Sequence, residues 1–263
     1  MAQLRVALGQ YDTAWEDPRT SLQRAGQVIE RAAAAGAQLV ALPETSTTGF
    51  TMESERFAEP LDGNSVTVLA DLASRHNVHV LAGVATREEG GFHNSALLFA
   101  PTGELIAHYR KQRLFALGGE DASYQPGAEA VIADIDGVRI APFICYDLRF
   151  PELFRAVAPQ VDAMILIANW PQRRRAHWDV LVQARAIENQ CYFVAVNRVG
   201  TASGTPHDGG SVIYGPWGES LAEANDADAA TSAVSMATID TDEVTRVRTR
   251  YPFVQDCRNE YVL

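Results

Sequence analysis

The segment Val138-Arg-Ile-Ala-Pro-Phe-Ile-Cys-Tyr-Asp-Leu-Arg-Phe-Pro-Glu152 carries the strongest structural signal in the chain. Its first seven residues form an apolar run of the kind found in strands that are buried in a sheet. Pro151 then marks the start of a helix, so Cys145 is predicted to stand at a sharp turn from strand to helix. Such a turn can expose a sulfur atom and direct backbone N–H groups toward it. Cys145 is therefore a candidate nucleophile, and the alternative is a small residue of the core.

Strands and helices alternate on both sides of this segment. The pattern predicts one α/β domain over residues 1–263, with mixed sheets covered by helices, and it shows no linker and no internal repeat. The predicted strands are 4–9, 39–42, 78–86, 94–100, 105–109, 138–144, 163–168, 192–197, 210–214, 218–222 and 232–239, and the predicted helices are 18–35, 64–76, 151–157 and 178–190.

The composition limits the classes of function. The net charge is −11, which argues against a nucleic-acid partner because phosphate-binding surfaces need clustered basic residues. The chain has neither a signal-peptide pattern at its start nor an apolar run long enough to span a membrane, so we expect a cytoplasmic protein without membrane contact. Its three cysteines are widely spaced and its histidines lack ligand spacing. We therefore expect no metal and no cofactor.

Two further reactive residues follow predicted strands. Glu44 comes directly after the strand 39–42, and Lys111 follows the hairpin 94–109. Loops after strands can converge on one rim of a sheet, which would bring both residues to Cys145. Lys111 is also the only lysine in a chain that has 21 arginines. Its compact ammonium group suits a small reacting centre better than a planar guanidinium does.

A glutamate beside a thiol has a defined chemical consequence. Like-charge repulsion would raise the pKa of the Cys145 thiol, so that Glu44 would keep the sulfur protonated and accept its proton during attack. The Lys111 ammonium would then stabilise the oxyanion of a tetrahedral intermediate. Removal of one such donor costs about 3 kcal/mol in other enzymes.

The chain resembles the nitrilase superfamily of carbon–nitrogen hydrolases, in which a Glu-Lys-Cys triad acts. The resemblance spans nearly the whole chain because several motifs match in order and spacing. They are Leu42-Pro-Glu-Thr-Ser-Thr-Thr-Gly-Phe50, Tyr109-Arg-Lys-Gln-Arg-Leu-Phe115, Phe143-Ile-Cys-Tyr-Asp-Leu-Arg-Phe-Pro-Glu152, Ala168-Asn-Trp-Pro171, Ala184-Arg-Ala-Ile-Glu-Asn-Gln190 and Gly215-Pro-Trp-Gly218. Arg113 departs from the family pattern, which often has His there.

This resemblance implies a four-layer αββα sandwich that forms a homodimer through a helical layer. It implies that Glu44 is the general base, that Lys111 stabilises the oxyanion, and that Cys145 forms an acyl-thioester which water hydrolyses. Glu120 would be the second family glutamate, which positions the substrate and the lysine. The Tyr146 N–H would complete the oxyanion site. Asn169 and Trp170 would line the pocket.

Within the superfamily, the motifs around Cys145 and Asn169 resemble those of ω-amidases, which release ammonia from monoamides of dicarboxylic acids such as 2-oxoglutaramate. Deaminated glutathione amidases have closely similar motifs. Both types of substrate carry carboxylates, so Arg149 or the run 173–175 is a candidate for carboxylate binding. Arg149 is alternatively spaced to pair with Glu152. The triad alone also fits a nitrilase or an N-carbamoyl hydrolase, and the fold alone fits a non-catalytic interaction module.

Overall fold

The computed structural model describes residues 1–224 and 234–257, and the strands in these ranges form two six-stranded sheets and a separate hairpin. The strands are β1 Gln3–Leu8, β2 Leu39–Ala41, β3 His79–Glu88, β4 Gly91–Phe99, β5 Leu105–Arg110, β6 Ala133–Ile135, β7 Val138–Ile144, β8 Ala163–Ala168, β9 Tyr192–Asn197, β10 Val199–Ala202, β11 Thr205–Asp208, β12 Val212–Tyr214, β13 Ser220–Glu223 and β14 Met236–Asp240.

The helices lie between these strands in the chain. They are α1 Pro18–Ala34, α2 Ser54–Phe57, α3 Asn64–His76, α4 Glu120–Ser123, α5 Pro151–Val157, α6 Arg175–Asn189 and α7 Thr241–Arg250. Short 3₁₀ helices cover Ala116–Gly118, Cys145–Arg149, Ala158–Gln160 and Gln172–Arg174. None of the helices in the described ranges is both long and apolar enough to cross a lipid bilayer.

The two large sheets share one pattern of strand pairing. The first sheet has the order β14-β1-β2-β3-β4-β5, and the second has the order β6-β7-β8-β9-β12-β13. In each sheet the second, third and fourth strands are parallel to one another, and every other pairing is antiparallel. The fold thus contains a structural repeat that was not detected in the sequence.

The burial pattern explains the layers. In β1, Leu4, Val6 and Leu8 belong to the core between the sheets, whereas Ala7 belongs to the core beneath α1 and α3. Successive side chains of a strand point to opposite faces, so one strand serves both cores. The helices α5 and α6 cover the other face of the second sheet through residues such as Phe154 and Trp178. The predicted αββα sandwich is confirmed.

Most predicted elements match the structure to within a few residues, and 64–76, 138–144, 163–168 and 192–197 match it at both ends. The prediction missed the helices α2, α4 and α7, the strand β6 and the β10–β11 hairpin. These elements lack a long apolar run, and β11 is the polar sequence Thr-Pro-His-Asp. The predicted strand 232–239 extends into residues 232–233, outside the described ranges, and β14 begins at Met236. That residues 1–263 form one domain stays a prediction.

Candidate active site

Cys145 directly follows β7 and is the first residue of the 3₁₀ helix Cys145–Arg149, so a helical segment begins at Cys145 itself and not near Pro151. Its backbone has a φ of 45°, in the left-handed region that non-glycine residues rarely occupy. Its thiol is partly exposed to a cavity. Strained residues of this kind are concentrated at functional sites.

The buried carboxylate of Asp147 holds this turn in place. It accepts hydrogen bonds from the Ile144 N–H at 2.9 Å, the Arg113 N–H at 2.9 Å and the Tyr109 hydroxyl at 2.8 Å. Tyr109 and Arg113 flank Lys111 in the chain. One carboxylate therefore fixes the backbone around Cys145 and the backbone around Lys111 relative to each other.

Glu44 follows β2 in a loop that rests directly on β3. The Ser46 N–H donates to the Gly83 carbonyl oxygen at 2.7 Å, and a Cβ on Gly83 would lie 2.6 Å from the Glu44 Cα and 2.4 Å from the Thr45 nitrogen. Only glycine leaves room for this contact. The Glu44 carboxylate is completely buried, and its Oε2 accepts the Asn169 N–H at 2.8 Å.

Lys111 lies between two buried carboxylates. Its Nζ is 2.8 Å from Glu44 Oε1 and 2.9 Å from both oxygens of Glu120. The Asn94 amide also donates to both acids, at 2.8 Å to Glu44 Oε1 and 2.8 Å to Glu120 Oε1. These ion pairs and hydrogen bonds offset the cost of removing the three charged side chains from water. The predicted residues Glu44, Lys111, Glu120 and Cys145 are thus brought together.

The pKa shifts follow from this arrangement. Desolvation raises the pKa of the Cys145 thiol well above its ordinary value, and the Glu44 charge, a hydrogen bond to Glu44 and the Glu120 charge raise it further, while Lys111 opposes them. Desolvation lowers the pKa of Lys111, but Glu120 and Glu44 more than offset this and the net shift is upward. The cluster therefore favours a neutral thiol beside an ammonium group.

A cavity of about 440 Å³ opens above the cluster. It is lined by Cys145 and Lys111 and by all four predicted substrate-binding residues, namely Tyr146, Arg149, Asn169 and Trp170. Glu120 does not line the cavity but lies behind Lys111. Asn169 also helps to place the base, because its Nδ2 donates to the Glu44 carbonyl oxygen at 2.6 Å.

The alternative pairing of Arg149 with Glu152 is wrong. The Arg149 Nη2 lies 3.2 Å from His177 Nδ1, and its guanidinium carbon lies 4.8 Å from the centre of the Trp170 ring. Glu152 instead pairs with Arg113, at 3.8 Å. The 3₁₀ helix directs the Arg149 side chain toward the start of α6 and away from Glu152.

Sequence reasoning missed two polar residues of the site. Asn94 lies within β4, next to the edge strand β5. Nothing in the sequence Phe92-His-Asn-Ser95 distinguishes it from other strand residues. His207 belongs to the hairpin that was not predicted and lines the cavity. Desolvation lowers the pKa of His207 to about 4, so its imidazole is neutral at pH 7.

No cluster of three or more His, Cys, Asp or Glu side chains within residues 1–224 and 234–257 is arranged to hold a metal ion. The polar groups around Cys145 are instead a carboxylate pair, an ammonium and two amides, which suit transfer of a proton and stabilisation of an oxyanion.

Comparison with known proteins agrees with this chemistry. The model of the carbon–nitrogen hydrolase family matches residues 5–249. The 2-oxoglutaramate amidase of Bacillus subtilis is 34% identical over 254 residues, covering 95% of this chain and 96% of that protein. The omega-amidase YafV of Escherichia coli K12 is 35% identical over 260 residues, covering 97% of both chains. The structure of XC1258 from Xanthomonas campestris, a CN-hydrolase superfamily protein, has a TM-score of 0.92 at 34% identity, covering 100% of both chains.

Proposed function

This chain belongs to the carbon–nitrogen hydrolase family, and from that membership we propose that Glu44, Lys111 and Cys145 form its catalytic triad. The chain is an amidase, and its substrate is proposed to be a small amide that carries a carboxylate. The observation that supports the triad most directly is the contact of the Lys111 ammonium with two buried acids, Glu44 and Glu120, beside a Cys145 thiol whose pKa both of them raise.

The proposed reaction begins when the Cys145 sulfur attacks the amide carbon and Glu44 takes the thiol proton. Lys111 and the Tyr146 N–H stabilise the oxyanion of the tetrahedral intermediate. Collapse of this intermediate breaks the C–N bond, and Glu44 returns the proton to the departing ammonia. Water then attacks the acyl-thioester and gives up a proton to Glu44. Collapse of this second tetrahedral intermediate breaks the C–S bond, and Glu44 returns the proton to the sulfur. The products are a carboxylic acid and the free thiol.

In this proposal Glu120 holds Lys111 and does not touch the substrate. Both of its oxygens accept from the Lys111 Nζ, and its Oε2 also accepts the Phe115 N–H at 2.6 Å. It balances the lysine's charge, which leaves the Glu44 carboxylate available as a base.

We propose ω-amidase activity on substrates of the 2-oxoglutaramate type. Two relatives with this activity in their names align over nearly their whole length. The cavity supports an anionic substrate as well, because three arginines and only two glutamates line it in a protein whose net charge is −11. The arginines are Arg149, Arg173 and Arg174, and the glutamates are Glu16 and Glu53. Local positive charge concentrates anions at such a cleft.

The test is ammonia release by the purified protein from 2-oxoglutaramate, succinamate, deaminated glutathione and a simple nitrile, with Cys145→Ala as control. We expect the two short monoamides to react best and the control to be inactive. Full turnover by Cys145→Ala would refute covalent catalysis by this thiol.

Preference for deaminated glutathione would instead favour the second branch that the motifs resemble. Preference for the nitrile would indicate a nitrilase, and hydrolysis of a ureido compound alone would indicate an N-carbamoyl hydrolase. Absence of thiol-dependent turnover on every compound would favour a non-catalytic binding module.

We also propose that the protein is a homodimer. Val180 and Ile187 on α6 are 67% and 50% exposed, and the nearby Trp217 is 53% exposed. Apolar side chains on the outer layer of a sandwich are stabilised when a second copy covers them. Light scattering should give twice the chain mass, and Ile187→Glu should give a monomer.

We make two further proposals, a cytoplasmic location and the absence of a nucleic-acid partner, and the net charge of −11 supports the second. Cell fractionation tests the first, and a titration with duplex DNA and RNA at low salt tests the second.

A further inference from the structure

Arg174 occupies an unusual position at the mouth of the cavity. It ends the 3₁₀ helix Gln172–Arg174 directly before α6. Its guanidinium carbon lies 5.1 Å from the centre of the Phe115 ring and 5.9 Å from the centre of the Trp170 ring. Aromatic faces at these distances hold a guanidinium by cation–π attraction and restrict its rotation.

The backbone of Arg174 is fixed as well. The Trp170 indole N–H donates to the Arg174 carbonyl oxygen at 2.8 Å, so the ring that contacts the guanidinium also anchors the residue that carries it. Desolvation lowers the pKa of the half-buried Arg174, and the nearby charges of Arg173 and Arg149 lower it further, while a Cys145 thiolate would oppose them. A negative charge near Arg174 would therefore be stabilised.

The neighbouring arginines differ from Arg174. Arg175 pairs with Asp179 Oδ1 at 2.7 Å and Asp208 Oδ2 at 3.5 Å, and Arg173 is exposed to solvent. Arg149 also lies against the Trp170 ring, but its Nη2 contacts His177 Nδ1 at 3.2 Å. Arg174 forms no ion pair with any carboxylate of residues 1–224 and 234–257, although two aromatic rings enclose it. A partly desolvated guanidinium with donors left over is a binding site for a planar anion.

We propose that Arg174 binds the distal carboxylate of the substrate while the amide carbonyl lies at Cys145. This assignment rests on the proposed amidase function and identifies the residue that selects a dicarboxylic acid monoamide. Phe115 and Trp170 hold the guanidinium fork in one orientation, so little conformational entropy is lost when it forms two parallel hydrogen bonds to a carboxylate. An uncharged amide of the same length gains nothing from this contact.

The first test compares succinamate with butyramide, which has a methyl group in place of the carboxylate. In Arg174→Met, which retains an apolar side chain between the rings, we expect the ratio of kcat/KM for succinamate to that for butyramide to fall about 10- to 100-fold. The value for butyramide should change by less than about 3-fold, since the reacting groups are untouched. Arg174→Lys should recover part of the ratio because it retains the charge.

The matched control is Arg75→Met on α3, which removes the same charge from an exposed side chain that does not line the cavity. Its ratio should change by less than about 3-fold, because exposed charges at a distance are screened by salt. An unchanged ratio in Arg174→Met, an equal loss for both amides, or an equal fall in both variants would overturn the proposal.

A second measurement does not depend on turnover. Succinate should slow the alkylation of Cys145 by neutral iodoacetamide in the wild-type protein and fail to do so in Arg174→Met. The exposed Cys257 reports the reactivity of the reagent in the same sample. Equal protection in both proteins, or none in either, would overturn the role of Arg174. Protection that depends on Arg174 in a protein that releases no ammonia would refute the proposed substrate and leave Arg174 as a carboxylate-binding residue beside Cys145.

Discussion

The protonation state of Cys145 depends on the charges that surround it. Glu44 and Glu120 carry two negative charges and Lys111 carries one positive charge, so a thiolate at Cys145 would bring the buried cluster to a net charge of −2. A neutral thiol leaves it at −1. Desolvation is the largest cause of the raised pKa of Cys145, and this excess of negative charge raises it further, so the sulfur loses its proton only as it attacks.

Glu44→Gln tests this account. Without the Glu44 charge the pKa of Cys145 should fall, so the pH profile of its alkylation by iodoacetamide should move to lower pH. Ammonia release should meanwhile fall by about 100-fold or more, because the general base is absent. The control is Glu152→Gln, which neutralises a carboxylate whose side chain is 60% exposed. A pH profile that is the same in wild type and Glu44→Gln would contradict the electrostatic argument.

The titration of Asp147 leads to a second prediction, which concerns the stability of the fold. Burial raises its pKa from 3.8 to about 6, although three hydrogen bonds and Lys111 oppose the shift. The folded protein thus holds this proton more tightly than the unfolded chain does, and the resulting stability is lost as the pH rises from about 4 through about 6. Asp147→Asn cannot titrate at this position and therefore avoids this loss. The difference in free energy of unfolding, variant minus wild type, should become about 3 kcal/mol more positive between about pH 4 and pH 7.

Urea unfolding of both proteins at several pH values measures this difference. Only the change in the difference with pH matters, because the substitution also removes one acceptor and lowers stability by an amount that does not depend on pH. A difference that stays constant over this range would show that Asp147 does not titrate there.

The positions of Glu44 and Cys145 depend on the backbone conformation just after the strands β2 and β7. Both β2 and β7 lead into residues with left-handed backbone, Thr45 with a φ of 40° and Cys145 with a φ of 45°. These turns direct the chain across the ends of the sheets instead of continuing the strands. The strand β3 makes room for the first turn at Gly83, where the loop crosses it.

Gly83→Ala should disrupt this crossing. Its Cβ would lie 2.4 Å and 2.6 Å from backbone atoms of Thr45 and Glu44, and backbone cannot move aside without shifting the Glu44 carboxylate. We expect kcat/KM to fall at least about 100-fold and the free energy of unfolding to fall by about 3 kcal/mol or more.

The control is the same substitution in a helix. A Cβ on Gly26 of α1 would meet Leu72 Cδ2 at 3.4 Å, an ordinary contact. Gly26→Ala should stabilise the protein by about 0.5 to 1 kcal/mol and leave activity unchanged. Measurable activity in Gly83→Ala near the wild-type level would show that the loop adapts.

At the scale of the whole molecule, the site belongs to both sheets. Glu44, Asn94 and Lys111 follow or lie on strands of the first sheet, whereas Cys145 and Asn169 follow strands of the second. The two sheets repeat the same pairing pattern, so the ends of their parallel strands meet across the core. The distance from base to nucleophile therefore depends on how the two sheets pack.

The hydrogen bond from the Tyr109 hydroxyl to Asp147 joins the two sheets next to the site. Tyr109→Phe should lower the free energy of unfolding by about 1 to 3 kcal/mol, because a buried charged acceptor loses a donor. It should also lower kcat/KM for succinamate. The control is Tyr214→Phe, a substitution at a half-buried residue of β12 that does not line the cavity. Equal stability and activity of both variants would show that this contact does not fix the sheets.

The sequence by itself determined the order of most strands and helices, because a buried strand is recognisable as a continuous run of apolar residues. It also determined the three reactive residues, because each of them follows such a strand. The elements it missed, such as β11, are short and polar and have no such local pattern. Only the tertiary structure decided which polar groups complete the site. Asn94 lies 50 residues from Glu44 along the chain, and Arg174 differs from the adjacent Arg173 in the rings that enclose it. Contacts of this kind depend on the packing of two sheets, and no local pattern of residues encodes that packing.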